Sequence, residues 1–127
     1  MIDHIVIGVS DLDAGRAFYL GALGPLGIEI VLDRGDVVGF GSRGKPEFWL
    51  REEDSPTQVH VAFSAPDRAA VDAFHAAALG AGATDNGGPG LREIYHPTYY
   101  GAFVLDPDGH NIEAVIHGVG ASVRRPS

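Results

Sequence analysis

Apolar and polar residues alternate along the first half of the chain in short runs that predict one βαβββ unit. Residues 2–9 are mainly β-branched and apolar, with Asp3 and His4 as the polar exceptions, which is typical of a strand. Ser10 and Asp11 then offer capping oxygens for a helix, and Gly24 followed by proline ends it. Three short strand-like runs follow, separated by the turns 33–36 and 42–46: they are residues 27–32, 37–41 and 47–50.

The second half repeats this order of elements. A strand is predicted at residues 59–63, and a helix begins near Pro66-Asp67, with proline in its first turn, and ends near Gly80. Residues 84–98 are polar and rich in glycine, and two further strands at 100–105 and 111–116 are joined by a type I turn, Asp106 to Gly109. We therefore predict an α+β fold made of two tandem βαβββ modules.

These modules are expected to form a single domain over residues 1–127. Module one covers about 1–51, a charged linker about 52–56, module two about 57–118, and a C-terminal tail 119–127.

A shift of 56 residues aligns the two modules and places His4 on His60. In the 21 positions from 4 to 24 there are eight identities. The other seven shared residues of the first copy are Asp11, Ala14, Ala17, Phe18, Ala22, Leu23 and Gly24. Such a repeat indicates a duplicated supersecondary unit.

Strand alternation predicts where the unusual polar side chains point. His4 lies opposite the apolar face of its strand, and His60 does so in the repeat-related strand. Glu113 is likewise opposite Ile112 and Ala114 in the last strand. If each helix covers the apolar face of its own sheet, all three side chains point to the helix-free side.

Two imidazoles and one carboxylate are a ligand set for Fe(II) and similar divalent metals, with positions left open for substrate. A single strand histidine is usually a surface or hydrogen-bonded residue, so the hypothesis depends on the shared direction of His4, His60 and Glu113. The chain has no cysteine, so thiolate sites are excluded. One Fe, Mn, Zn, Ni or Co ion is the cofactor we expect.

Other candidate residues lie on the same face or beside the longest loop. Strand alternation places Trp49 on the same side as the candidate ligands, where it would form part of the wall of a cleft. Trp49 is therefore a candidate substrate-binding residue. The candidates for acid–base chemistry are His96, Tyr99 and Tyr100, and the further candidates for substrate binding are Arg92 and Phe103. A tyrosine-rich packing segment is an equally good interpretation of residues 95–100.

Composition restricts the partners. The formal net charge of −8 argues against nucleic acid, which needs clustered Lys and Arg. No apolar run approaches the ~20 residues that span a bilayer, and the N-terminus does not resemble a signal peptide. We expect a cytoplasmic protein that binds a small molecule, without membrane or nucleic-acid partners.

The motifs together resemble the vicinal oxygen chelate superfamily, which includes glyoxalases, bleomycin-resistance proteins and extradiol dioxygenases. The segments that carry this resemblance, within residues 1–118, are DHIV at 3–6, SDL at 10–12, FY at 18–19, VHVAF at 59–63 and LDPDGHNIE at 105–113. The resemblance implies that two modules form a cupped mixed sheet around a divalent metal, with helices on the outer face. His4, His60 and Glu113 match ligand positions, and substrate is expected to chelate the metal through vicinal oxygens.

One departure from the family pattern bears on the reaction. Glyoxalase I and methylmalonyl-CoA epimerase are similar in having a fourth ligand, Glu or Gln, on the last strand of module one, where this chain has Trp49. Glu47 has the right parity and would fit after a two-residue slip, whereas Glu52 is out of register. The resemblance therefore disfavours glyoxalase I activity. A three-ligand site is similar to those of extradiol dioxygenases and fosfomycin-resistance thiol transferases, although the serine-rich potassium loop of the latter is not apparent.

Two hypotheses about function remain. The first is a metal-dependent lyase, isomerase, transferase or dioxygenase, with the metal acting as a Lewis acid or, if it is Fe(II), activating dioxygen. The alternative is a metal-free protein similar to bleomycin-resistance proteins, which sequesters a small molecule. The resemblance also implies a homodimer, in which His4 of one subunit meets His60 and Glu113 of the other, or else a cup built within one chain.

Overall fold

The structure is a computed structural model that describes residues 1–118. The predicted C-terminal tail, 119–127, lies outside the described residues. Two separate mixed sheets, each carrying one helix, make up the fold. The prediction of an α+β protein built from two βαβββ modules is confirmed.

Module one is a four-stranded sheet in the order β1-β4-β3-β2. Its elements are β1 (Ile5–Val9), α1 (Leu12–Leu23), a 3₁₀ turn (Gly24–Leu26), β2 (Glu29–Asp33), β3 (Val37–Ser42) and β4 (Lys45–Glu52). Strands β1 and β4 are parallel, and the other neighbours are antiparallel. The hairpin between β3 and β4 turns on Arg43 and Gly44, both of which have positive φ, as a type I′ turn requires.

Module two has the order β5-β9-β8-β6, with β7 also paired to β8. Its elements are β5 (His60–Ser64), α2 (Arg68–Gly80), β6 (Thr84–Asp85), β7 (Gly90–Leu91), β8 (Tyr99–Leu105) and β9 (Asn111–His117). Two short strands therefore stand where module one has the single strand β2. The glycines and the proline between them explain this break, since neither residue type supports a long strand.

The repeat extends to the start of both helices. Asp11 caps α1 by accepting a hydrogen bond from the backbone N–H of Ala14 at 3.0 Å, and Asp67 caps α2 in the same way through Ala70 at 2.8 Å. Pro66 thus precedes the cap, and the prediction that it occupies the first helical turn is wrong. The side chain of Asp67 supplies the capping oxygen that defines the first residue of the helix.

Each helix covers one face of its own sheet and leaves the opposite face open. α1 and α2 also pack against each other, so the covered faces of the two sheets contribute to one hydrophobic core. Tyr19 is fully buried in that core while Leu20 is 49% exposed. The sequence predicts that Leu20 forms the apolar side of this helix together with Leu12, Phe18 and Leu23, and the exposure of Leu20 shows that the prediction is wrong at this position.

The two modules are joined at the turn between β8 and β9. His110, which is fully buried, has Nε2 at 2.7 Å from the carbonyl oxygen of Gly8 and accepts the Val59 N–H on Nδ1 at 3.1 Å. Asp106 accepts a hydrogen bond from the Tyr19 hydroxyl. We name Tyr19, Asp106 and His110 the module joint.

Within residues 1–118, no helix has both the length and the apolar character needed to cross a bilayer.

Candidate functional site

Glu113 is a buried carboxylate at the middle of β9, on the open face of the second sheet. It is 1% exposed, and its neighbours across the sheet are Ala62 on β5 and Phe103 on β8. His60 Nε2 lies 2.7 Å from Glu113 Oε1, and the hydroxyl of Tyr99 donates to Oε2. A carboxylate removed from water needs such partners, and here both of its oxygens have one.

Tyr99 reaches Glu113 because Gly101 lies between them. A Cβ atom at Gly101 would lie 3.2 Å from the Tyr99 ring and 3.5 Å from the Glu113 carboxylate. Burial, followed by the hydrogen bond to Glu113 and its negative charge, raises the pKa of Tyr99 well above the usual value. The phenol is therefore neutral at physiological pH and acts as a hydrogen-bond donor.

Phe103 and Arg92 extend the same face. The Phe103 and His60 ring centroids are 6.3 Å apart, and the guanidinium carbon of Arg92 lies 5.5 Å from the Phe103 centroid. Phe103 is thus a neighbour of both Arg92 and His60, and His60 in turn contacts Glu113.

His4 precedes β1 on the open face of the first sheet. Its Nδ1 lies 2.8 Å from a carboxylate oxygen of Asp3, which also pairs with Lys45 at 3.2 Å. The hydrogen bond from His4, and then the one from Lys45, lower the pKa of Asp3. His4 and His60 line one cavity of about 580 Å³. Among residues 1–118, however, His4, His60 and Glu113 are not a group whose ligand atoms lie within 4.8 Å of one another.

Trp49 occupies the position in module one that Glu113 occupies in module two. Trp49 pairs with Val6, two residues after His4, just as Glu113 pairs with Ala62, two residues after His60. The register therefore equates the indole with the carboxylate. With Lys45 and Arg51, Trp49 lines a groove of about 450 Å³ that also includes His4.

Two of the predicted acid–base candidates are held away from Glu113. Tyr100 is on the helix face, where its hydroxyl donates to Asp72 at 2.6 Å and the Arg68 guanidinium lies 4.9 Å above its ring. Alternation along β8 places it opposite Tyr99. The Nδ1 of His96 accepts the Thr98 N–H at 3.1 Å within a loop turn.

Comparisons with known proteins agree with this architecture. Residues 1–114 match the model of the Glyoxalase/Bleomycin resistance protein/Dioxygenase superfamily. The chain belongs to this superfamily. No match was found among curated protein sequences.

Solved structures of superfamily proteins cover nearly the whole chain. A glyoxalase/bleomycin resistance protein from Albidiferax ferrireducens T118 is 30% identical, with a TM-score of 0.77, over 89% of this chain and 95% of that one. A putative glyoxalase from Bacillus halodurans is 26% identical, with a TM-score of 0.69, over 91% and 94% of the two chains. Lactoylglutathione lyase from Agrobacterium tumefaciens, at 23% identity, has a TM-score of 0.67 over 91% and 92%, and it shows the fold alone.

In this superfamily member a second group of ligand-type side chains lies at the module joint. Ligand atoms of Asp106, Asp108 and His110 lie within 4.8 Å of one another. Asp106 Oδ1 already accepts the N–H groups of Asp108 and His110 at 2.9 Å, and both ring nitrogens of His110 have backbone partners. The geometry therefore explains this group as a buried structural network. The sequence signal for it is the turn Asp106 to Gly109 followed directly by a histidine.

Sequence reasoning overlooked Glu53. Its side chain lies over Gly8 on the open face of the first sheet, where a Cβ atom at Gly8 would collide with the carboxylate. Alternation would have indicated this, because Glu53 continues the series of Glu47, Trp49 and Arg51 beyond the end of β4. Glu53 pairs with Arg51 at 3.2 Å and so neutralises one of the two cations beside Trp49.

Proposed function

We propose that this superfamily member is a divalent-metal-dependent enzyme whose small substrate chelates the metal through vicinal oxygens. The observation that carries the proposal is the buried Glu113 carboxylate, 1% exposed, with His60 Nε2 at 2.7 Å on an open sheet face. A carboxylate at this depth is costly to retain for packing alone.

The donor set fits a divalent ion. Imidazole and carboxylate suit Fe, Mn, Zn, Ni and Co alike, and two donor atoms 2.7 Å apart can both bind one ion at bond lengths of about 2.1 Å. No third His, Asp or Glu of residues 1–118 completes a group with this pair. We therefore propose that His4 of a second copy supplies the third donor, in a homodimer whose sites are shared between chains.

When bound, such an ion would act as a Lewis acid on substrate oxygens, or, as Fe(II), would support dioxygen chemistry. The protein's own contribution is orientation. Tyr99 holds Glu113 Oε2 and so fixes the carboxylate plane. His60 is half exposed, so its ring can be reached from the open face.

Trp49 narrows the reaction class. A glyoxalase I reaction uses a carboxylate that is the fourth metal ligand to take a proton, and the register gives that position to an indole. The proposed activity is therefore that of a lyase, isomerase, transferase or dioxygenase whose reaction does not depend on this group.

Elemental analysis of protein purified without chelating resin tests metal dependence. We expect about one ion per site in the wild type, and at least a ~10-fold loss of metal affinity in His60→Ala and Glu113→Gln. His75→Ala is the matched control, because His75 is on α2 and pairs with Asp85 at 2.9 Å. Wild-type protein without stoichiometric metal, or unchanged metal content in both site variants, would refute the proposal.

The second candidate is a metal-free binding protein. It is favoured by the hydrogen bonds of Glu113, since His60 and Tyr99 already satisfy both of its oxygens. A thermal-shift screen of divalent metals against a cationic glycopeptide separates the two functions, because a ligand raises the melting temperature only if it binds the native state. Stabilisation by the glycopeptide alone would support the binding protein.

A further inference from the structure

Arg92 lies on the open face of the second sheet, where neighbouring groups hold its side chain in place. Its guanidinium lies over Phe103, and its Nη2 donates to the carbonyl oxygen of Gly88 at 2.7 Å. Cβ atoms at Gly87 and Gly90 would lie 3.2 Å from Nη2 and Nη1. Gly87 also has a φ of 138°, which side chains rarely adopt. Two glycines thus keep open the space that the guanidinium occupies.

The charge of Arg92 has no carboxylate partner among residues 1–118. Arg34, Arg43 and Arg68 also have no carboxylate partner among these residues, so what distinguishes Arg92 is its fixed position over Phe103. A guanidinium has five N–H donors in a planar fork, and the Gly88 carbonyl takes one of them. The remaining donors are available to a ligand.

We propose that Arg92 binds an anionic oxygen group, a carboxylate or a phosphate, at the far end of a substrate whose other end reaches His60 and Glu113. This inference rests on the proposed function and assigns its substrate class. The planar fork matches such groups with two parallel hydrogen bonds. A substrate that joins the two ends would lie across the Phe103 ring, whose centroid is 5.5 Å from the guanidinium carbon and 6.3 Å from the centroid of the His60 ring.

Matched keto acids test the proposal by isothermal titration calorimetry. 2-Oxoglutarate and 2-oxopentanoate share the chain length and the vicinal oxygens, but only the former has a distal carboxylate. 2-Oxo-4-phosphonobutanoate replaces that carboxylate by a phosphonate and shows which anion the fork prefers. We expect the wild type to bind at least one of the two distal anions about 10-fold or more tightly than 2-oxopentanoate.

Arg92→Met, which retains packing over Phe103, should abolish this preference and leave both the 2-oxopentanoate affinity and the metal content unchanged. Arg92→Lys should retain part of the preference, because it keeps the charge and loses the fork. Arg34→Met, at an exposed turn, is the control and should bind as the wild type does.

The readouts separate the two proposals. If the wild type itself contains no stoichiometric metal, the proposed function is wrong. If the wild type contains the metal but binds all the keto acids with equal affinity, the proposed role of Arg92 is wrong. A preference that survives in Arg92→Met, or a wild type that binds neither distal anion, also overturns it.

Discussion

Two glycines determine where the open-face aromatic side chains lie. Gly101 leaves room for Tyr99 beside Glu113, and Gly39 leaves room for Trp49, whose indole would be 2.9 Å from a Cβ atom at that position. Both aromatics lie on the side of the sheet that the helices do not cover. At the residue scale, the site therefore depends on glycines, which leave room for the aromatic rings, as well as on polar side chains.

We predict that Gly39→Ala displaces Trp49 and costs about 1 kcal/mol of stability, because the indole must move to admit the methyl group. Trp49 is the one tryptophan of the chain, so its emission maximum and acrylamide quenching report the displacement directly. Gly35→Ala is the control for a glycine substitution without a nearby side chain, although its φ of 87° adds strain of its own. Unchanged emission in Gly39→Ala would contradict the prediction.

A second prediction concerns the ionisation of Tyr99, whose pKa is raised by burial and by Glu113. Below the pKa of an unfolded tyrosine, about 10, the phenol is neutral in both states and its stabilising effect is complete. Above that pH the unfolded state loses the proton first, so the stabilisation falls as pH rises towards the folded pKa.

Absorbance at 295 nm measures phenolate formation. We expect native protein to ionise at higher pH than protein unfolded in urea, and Tyr99→Phe to lose part of the late-ionising signal. If Tyr99→Phe removes only signal that appears near pH 10, the raised pKa is wrong.

At the scale of elements, the hairpin of β8 and β9 serves two purposes. Its strands carry Tyr99, Phe103 and Glu113, and its turn carries Asp106 and His110 of the module joint. The same hairpin therefore positions the site and holds the second module against the first.

We predict that His110→Ala lowers the free energy of unfolding by about 2–4 kcal/mol, since it leaves the Val59 N–H and the Gly8 carbonyl without their partner. Urea unfolding followed by circular dichroism measures the loss. His117→Ala, at the exposed end of β9, should change stability by less than about 0.5 kcal/mol. Equal effects of the two substitutions would show that the joint does not stabilise the fold.

At the scale of the whole molecule, the two modules share one hydrophobic core, and His4 of the first and His60 of the second line one cavity. Among residues 1–118, however, the ligand atoms of His4 do not form a compact group with those of the His60–Glu113 pair. A second copy of the chain is the simplest source of the missing His4 donor at each pair. Two-fold symmetry would then create two equal sites.

Mixing two variants that each lack one metal ligand tests this arrangement. In a shared-site dimer of His4→Ala and His60→Ala, one site carries both substitutions and the other is intact. If the two variants are unfolded together and refolded, about half of the dimers contain one chain of each kind. About a quarter of the wild-type metal content should therefore be restored. Mixing without unfolding is the control. A cup built within one chain predicts no recovery, and that result would rule out shared sites.

Much of the fold follows from local pattern. Alternation along the strands placed His60 and Glu113 on one face, and the structure shows them in contact. The aspartate caps that start both helices, Asp11 and Asp67, lie within the repeated segment. Metal ligation by these side chains stays a prediction. Local pattern failed at Leu20, because the packing of α1 against α2 buries Tyr19 instead.

The sequence by itself determined the two modules, their strand faces and the position of Trp49, because side-chain direction in a strand depends only on parity. Tertiary structure alone decided that His4 stands apart from His60 and Glu113, that Tyr99 and not Tyr100 meets the carboxylate, and that Arg92 lies over Phe103. These facts depend on how the sheets pack and on how a glycine-rich loop closes, and contacts between residues distant along the chain leave no local period in the sequence.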